Sequence, residues 1–508
     1  MRMVSLSMLA CAAILPPAGA VLAGAAKGPL SVLASNPRYF TDGNRAVFLT
    51  GSHTWNNLVE IVRPPSRPNP PIDFDEFLGF LEARNHNCFR LWAWESAAFF
   101  NDKGESLHRV DLLPFQRTGP GDALDGKPKF DLAKFNDAYF DRLRRRTLAA
   151  RDRGMYVIVM LFNGFAIVEK DKIHGDPWKG HYFNAANNVN GVDGDPRHTG
   201  KGDEAHGLGI PPLTAFQEAY VRKVIDTVND LDNVLYEITN EDAGSAANTA
   251  WQYHMIRFIK KCEAAKLRQH PVGMTVQYPG GKNQALFDSP ADWISPNDAG
   301  GYQADPPAAD GRKVVLNDTD HSFYYIGLQK AGLDAQRAWV WKNFTRGHQA
   351  LFMDPYLDPT PWGVAGRNNP KDGKPDPYWE VLRLNMGYTR TYADRMNLAA
   401  MTPQPALASS SFCLANVAAK GAEFLVYLPR GPEVTVDLSG APGRFSVKWF
   451  NPAQGTVIKG EAVAGGAKRT LTAPFTGDAV LYMAQVGEGP YRTACGGATK
   501  RHSWGELP

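Results

Sequence analysis

Glu241, in the run Asn240-Glu241-Asp242, and the pair Asp318 and Asp320, in Asn317-Asp318-Thr319-Asp320-His321, have the types and spacing to do chemistry. Each group directly follows a short apolar run, Val234 to Ile238 in one case and Lys313 to Leu316 in the other. Two carboxyl groups on opposite sides of one bond can divide acid–base work. One protonates a departing oxygen while the other attacks the carbon or activates water, the division used in cleaving glycosidic bonds. An amide beside the acid, here Asn240, can hydrogen-bond a sugar hydroxyl in the transition state. The competing reading makes Glu241 and Asp242 caps of a following helix. For Asp318 and Asp320 it makes an Asx-turn or a Ca2+ site. Two carboxylate clusters, each at the end of a strand-like run, favour catalysis. Glu241 is then the acid, with a pKa raised by burial against aromatics, and Asp320, or else Asp318, is the nucleophile. A nucleophile must stay ionised, and Arg90 and His321 are suitable donors to hold it so.

Something must bring residues this far apart in the chain together. From about Leu30 to Leu357, short apolar runs alternate with segments of helical period, as in Phe74, Phe77, Leu78 and Leu81. The runs are Ala46–Thr50, Cys88–Trp92, Met155–Phe162, Asn233–Ile238, Gly273–Gln277, Ala291–Ile294, Lys313–Leu316 and Gln349–Met353. Buried, β-branched strands with helices between them predict a parallel sheet, and eight such units fit an α/β fold of the (β/α)8 TIM barrel type over residues 30–398. A doubly wound sheet is the alternative. Barrels carry their reactive groups beyond the C-terminal strand ends. Polar and aromatic residues gather at those ends: His53, Trp55 and Asn57 after the first run, then Arg90, Trp92, Trp94 and Glu95, then Asn163. Of these, His53, Trp55, Asn57, Arg90, Trp92 and Asn163 are candidate sugar-binding residues, together with Asn240, His321 and Trp341.

Composition narrows the classes. The chain has 508 residues, with 55 Lys plus Arg against 52 Asp plus Glu, a net charge of +3 that argues against nucleic acid as the main partner. No HExxH, P-loop, GxSxG or dinucleotide fingerprint occurs in a fitting context, so no metal and no cofactor is expected. The expected partner is carbohydrate. Residues 1–23 read as a signal peptide with an apolar stretch too short to span a bilayer comfortably, which predicts an exported protein, periplasmic or secreted, with no membrane association after cleavage. Four cysteines remain, Cys88, Cys262, Cys413 and Cys495, too widely spaced for a metal knuckle. Cys88 and Cys262 read as buried thiols. Beyond about Met401, five short alternating runs between Gly421 and Gln485 predict an antiparallel β-sandwich over residues 400–487, followed by a tail at 488–508.

Several stretches carry a family likeness. Asn36 to Asn44 and Thr50 to Asn57 resemble the opening of apiosidase-like glycoside hydrolases. Asn184 to Gly191, Tyr236 to Asp242, Asn317 to His321, and Trp339 through Tyr356 are similar to the same group. The resemblance covers most of residues 30–395. Gly421 to Leu428 and Trp449 to Gly455 resemble the collagen-binding-like β-domain often fused to such enzymes. The resemblance implies a clan A barrel, in which an Asn-Glu pair ends the fourth strand and a second carboxylate ends the seventh, working by retaining double displacement. It makes Asn240 the partner of the sugar 2-hydroxyl, Glu241 the acid/base and Arg90 the brace of the seventh-strand carboxylate. The chain departs from the pattern in carrying Asp rather than Glu at the seventh strand. A barrel of this kind that only binds carbohydrate or matrix is the alternative to an enzyme.

Overall fold

A computed structural model describes residues 24–62, 72–167, 175–323, 325–357 and 374–486. The expected signal peptide, the tail from 488 and Cys495 lie outside the described residues. Two compact units divide between Ala399 and Ala400.

The first unit is built on eight parallel strands: β1 Gly51–His53, β2 Cys88–Leu91, β3 Tyr156–Asn163, β4 Val234–Asn240, β5 Val272–Thr275, β6 Trp293–Ser295, β7 Val314–Asp318 and β8 Gln349–Met353. Their spatial order is β1-β8-β7-β6-β5-β4-β3-β2, so sequence neighbours are sheet neighbours all the way round. The remaining seam, between β1 and β2, is bridged where the Thr50 carbonyl accepts from the N–H groups of Asn87 (2.9 Å) and Cys88 (3.2 Å). A Cβ at Gly51 would run into the Cys88 carbonyl, so only glycine lets the two strands approach there. The structure is the expected TIM barrel.

Helices follow the strands: α1 Phe74–Glu82, α2 Asp137–Asp152, α3 Pro211–Val228, α4 Ala246–Glu263, α5 Asn283–Asp288, then α6 Thr319–Ser322, α7 Tyr325–Ala331 and α8 Leu333–Thr345 after β7, and α9 Glu380–Arg395 after β8. The β6–β7 connection carries only a 3-10 turn, Ala299–Gly301. Local sequence explains the helix starts. Asp73 caps α1 by accepting from the N–H groups of Asp75 and Glu76, and α3 opens on Pro211 and Pro212, where no backbone donor is needed. Leu213, Gln217, Tyr220, Val221, Val224 and Val228 recur at helical spacing and form its buried face.

The period of two along the strands sorts the interior. Cys88, Ile158, Leu235, Leu316 and Leu351 form one apolar cluster, distinct from the larger one that Phe89, Val157, Val159 and Tyr236 share with the helices. Two residues farther along the inward column stand Arg90, Met160, Glu237, Asp318 and Met353. The barrel is therefore apolar in its lower layer and largely charged in its upper one.

The first run is corrected by the structure. Ala46–Val47 is not barrel wall; it pairs with Phe40–Thr41 in a three-stranded sheet with Ser31–Val32. Leu30, Phe40, Val47 and Leu49 join the inner apolar cluster, so this segment supplies hydrophobic cover to the barrel's lower layer. The wall begins a few residues later, at Gly51.

Insertions rise from the C-terminal strand ends. Glu60–Val62, Ala98–Phe100 and Ser106–Asp111 form one small antiparallel sheet, and Phe115–Asp122 pairs with Pro128–Phe135. No helix among the described residues is long and apolar enough to cross a membrane. Cys88, Cys262 and Cys413 are free thiols, the first and last buried.

The second unit is antiparallel. Its strands are β9 Cys413–Asn416, β10 Glu423–Leu428, β11 Glu433–Asp437, β12 Arg444–Asn451, β13 Thr456–Ala464, β14 Lys468–Thr472 and β15 Ala479–Val486. One sheet runs β9-β10-β15-β12-β13, with Thr402–Pro403 at the β9 edge, and the other pairs β11 with β14. Phe424, Val426, Val434, Val436, Phe445, Val447, Trp449 and Leu481 alternate inward to make its core. All five runs expected here are strands; β9 and the mostly exposed β13 are additional.

Candidate active site

Arg90 is the hub of the charged upper layer. Its guanidinium donates to Glu237 through Nε (2.8 Å) and Nη2 (2.5 Å), to Asn240 Oδ1 through Nη2 (2.7 Å), and through Nη1 to Asp320 (3.1 Å) and Asp318 (3.3 Å). Burial works against its charge, but Glu237, Asp318 and Asp320 outweigh that and hold its pKa above the ordinary value. A buried cation with this many hydrogen-bonded partners is costly to break: removing one side of such a pair costs roughly 3–5 kcal/mol.

Asp318 ends β7 and is saturated. Its Oδ2 takes bonds from His53 Nε2 (2.8 Å) and Arg90, and its Oδ1 accepts the Asp320 N–H (3.0 Å) as the cap of the short α6. Burial would raise its pKa; His53 and Arg90 overcome this and hold it well below the usual carboxylate range. The turn-forming role expected as an alternative is thus present, together with a fixed negative charge.

Asp320 differs in both environment and titration. Burial and the negative charge of Glu241 raise its pKa well above the ordinary value against the opposing Arg90, the reverse of the ionised state that the sequence leads one to expect of a nucleophile. Asp320 is 9% exposed where Asp318 is 1% exposed. His321 flanks it, with Nε2 3.5 Å from Asp320 Oδ2 and donating to Asn240 Oδ1 at 3.0 Å, while Nδ1 meets Ser295 Oγ at 2.8 Å.

Glu241 follows β4 directly. Its φ of 50° is left-handed, a conformation that non-glycine residues adopt at a cost of about 1–2 kcal/mol. Its neighbours do not cap α4. Ser245 does that, its Oγ accepting from the Asn248 N–H. The Asn240 amide has its oxygen taken by Arg90 and His321, which turns its NH2 away from both.

The other expected sugar-binding residues form the layer beneath. His53 is fully buried between Asp318 and Trp92, and the Trp92 ring lies over Arg90, its centroid 4.6 Å from the guanidinium carbon. Trp55 is buried against Trp92. Asn57 is not a sugar contact: its Nδ2 donates to the Arg90 carbonyl (2.5 Å) and its Oδ1 accepts the Trp92 N–H (3.0 Å), pinning β2 to the loop after β1. Asn163 is likewise internal, capping the turn at Phe165 and donating to the Ala93 carbonyl. Trp341 is corrected most clearly. It lies on α8, fully buried, with its indole donating to Asn385 of α9 at 2.8 Å and its ring against Tyr392. That tryptophan glues two outer helices together. Asn187, Asn188 and Asn190 fix loops through backbone contacts.

Two features escaped the sequence reading. Glu237, the bidentate partner of Arg90, sits mid-strand on the inward column two residues after Leu235, a parity that could have shown it. The second feature is a buried imidazole between carboxylates. His206 Nδ1 lies 2.8 and 3.0 Å from the Asp242 oxygens and Nε2 lies 3.3 Å from Glu95. Burial would strip its proton, but Asp242 and Glu95 raise its pKa to about 10. Glu95 is held low by His206 and His181 despite its burial. No sequence spacing links His206 to Asp242; only the long β3–α3 connection brings them together. Among the described residues no group of three His, Cys, Asp or Glu side chains is placed to hold a metal ion.

Comparison with known proteins agrees with the architecture. Residues 104–278 match a family model described as a domain of unknown function, DUF6298, and residues 411–483 match one described as "Putative collagen-binding domain of a collagenase". No curated protein matches the chain. Among solved structures, a glycoside hydrolase family 5 protein from Bacteroides vulgatus is similar with a TM-score of 0.57 at 13% identity, over 91% of this chain and 95% of that one. A structure described as a glycoside hydrolase has a TM-score of 0.54 at 14% identity, over 90% and 97%. At such identities the likeness is one of fold.

Proposed function

We propose that the chain is an exported glycoside hydrolase, apiosidase-like, exo-acting and retaining, that removes sugars from polysaccharide or oligosaccharide side chains. The observation that carries this reading is the Arg90 guanidinium, which ties Asp320, just beyond β7, to Asn240, the residue before Glu241 at the end of β4. Two carboxyl groups gathered at neighbouring strand ends can divide the work of a double displacement, one as nucleophile and one as acid and then base. Asp320 attacks the anomeric carbon and the bond to the leaving oxygen breaks, with the proton of Glu241 passing to that oxygen. Glu241 then takes a proton from water, the water oxygen attacks the same carbon, and the ester to Asp320 breaks. Asp318, saturated by His53, Arg90 and backbone, serves as the fixed charge that positions them. In this reading the Asn240 NH2, turned away from Arg90, meets the 2-hydroxyl. Exo action is the part of this reading that takes the long insertions after β2 and β3 to close one end of the site. The fold of the solved glycoside hydrolases supports the same reading by analogy.

The test is Glu241→Gln assayed on defined pectic and hemicellulosic oligosaccharides. Wild-type hydrolysis that the variant loses, with an unchanged melting temperature, supports the reading. Hydrolysis that survives the substitution overturns it, and affinity without turnover in the wild type would make the chain a binding protein.

A further inference from the structure

Glu241 is held in a left-handed conformation, so something on each side of it must fix the chain. On the N-terminal side Arg90 and His321 grip the Asn240 amide. On the C-terminal side the grip is His206. We infer that His206, clamped between Asp242 and Glu95, is the positioning residue that keeps Glu241 in its left-handed conformation at the end of β4. The inference rests on the glycosidase reading above and adds a role outside its reacting groups.

The clamp is built from four segments. Asp242 belongs to the turn after β4, Glu95 follows β2, His206 comes from the β3–α3 connection, and Trp251 of α4 stacks flat on the imidazole at 4.4 Å and 5°. Every partner is itself held. Glu95 accepts the Asn163 N–H (2.7 Å) and the Tyr182 hydroxyl (3.1 Å), with His181 at 3.4 Å. Trp251 donates to Gln217 of α3 (2.9 Å), whose amide donates to the Ala205 carbonyl, and Asn248 donates to the His206 carbonyl (3.2 Å). A Cβ at Gly164 would run into Asp242, so the turn after β4 is pressed against the end of β3 with no room to slide. With both ring nitrogens facing carboxylates the imidazole is a cation, and a cation between two buried anions is satisfied only in this arrangement. Losing it leaves Asp242 unpaired, releases the turn, and lets Glu241 relax to an ordinary φ.

His206→Gln and Asp242→Asn test this, the second retaining a hydrogen-bond acceptor for His206 in case the first does not fold. Two readouts separate positioning from mere stabilisation. Crystal structures of the variants, which need no substrate, are expected to show Glu241 out of the left-handed region; a φ that stays near 50° overturns the inference. On aryl glycosides of the sugar the wild type releases, both variants are expected to lose about 100-fold in kcat/KM with 4-methoxyphenol as leaving group, which needs a proton, and under about twofold with 2,4-dinitrophenol, which does not. An equal loss on both substrates overturns the inference. Glu241→Gln is the control. If it lacks that leaving-group selectivity, the assignment of the acid has failed rather than the clamp.

Discussion

Trp92 donates its indole N–H to His53 Nδ1 at 2.9 Å, and that bond fixes which ring nitrogen faces Asp318. Indole can only donate, so Nδ1 must be the acceptor and the proton of the neutral ring must sit on Nε2, 2.8 Å from Asp318. Burial keeps the ring neutral by lowering its pKa, against the pull of Asp318. A tryptophan that the sequence suggests as a sugar platform therefore acts through a histidine on the charge beneath the reacting pair.

Trp92→Phe should keep the apolar bulk and lose the tautomer control. An unpaired buried acceptor costs about 1–3 kcal/mol, and a ring free to carry its proton on either nitrogen holds Asp318 only part of the time. The expected result is a fall in kcat of about tenfold or more with a smaller change in KM. Steady-state kinetics beside thermal unfolding checks it; unchanged kcat in a folded variant would show that the tautomer does not matter.

Acid should destabilise the fold well above the carboxylate range. His86, which accepts the Ser52 N–H and donates to the Arg383 carbonyl, and His348, which donates to the Pro307 carbonyl, are both pushed by burial from 6.5 to about 4. Between those values the unfolded chain binds protons that the folded chain refuses. Their contribution is complete above pH 6.5 and is lost as pH falls toward 4, by up to about 3 kcal/mol each. Melting temperatures from pH 7.5 to 4.5 should fall steadily, and His86→Gln should flatten that slope. A flat wild-type profile would contradict this.

The sequence made the barrel readable because β3 and β4 are continuous buried runs and α1 and α3 have clear caps and periods. It placed Glu241, Asp318 and Asp320 at strand ends for the same reason. Asn57 and Asn163 were not separable from sugar ligands, because an amide that satisfies backbone and an amide that meets a hydroxyl have the same sequence signature. Trp341 misled because the stretch before β8 could be strand or helix, and only the α8–α9 packing decides. His206 had no signal, since its partners lie 36 and 111 residues away. Ala46–Val47 looked like wall because a lower cap and a barrel strand bury similar side chains.

Trp341→Ala tests that correction. Emptying a fully buried indole site between α8 and α9 and removing its hydrogen bond to Asn385 should cost about 3–5 kcal/mol. Activity per folded molecule should be unchanged at temperatures where the variant remains folded. A raised KM without loss of stability would return Trp341 to the sugar site.

The identity of the nucleophile yields to chemical rescue. Removing the attacking carboxylate leaves a cavity that azide can enter, and azide, already an anion, needs no general base to take a proton from it. If Asp320 forms the covalent intermediate, Asp320→Gly should lose hydrolysis and recover glycosyl transfer in azide, giving a glycosyl azide of anomeric configuration opposite to the substrate, because one displacement has replaced two. Asp318→Gly should not be rescued. Asp318 is held by His53, Arg90 and the Asp320 N–H, so its loss removes the charge that keeps Arg90 and His53 in place, and an anion at the substrate does not restore that. Rescue of Asp318→Gly alone would exchange the two roles. Rescue of neither, with Glu241→Gln inactive, would favour an inverting route in which Asp320 activates water, and the sugar released by the wild type would then carry inverted configuration in NMR spectra taken during hydrolysis.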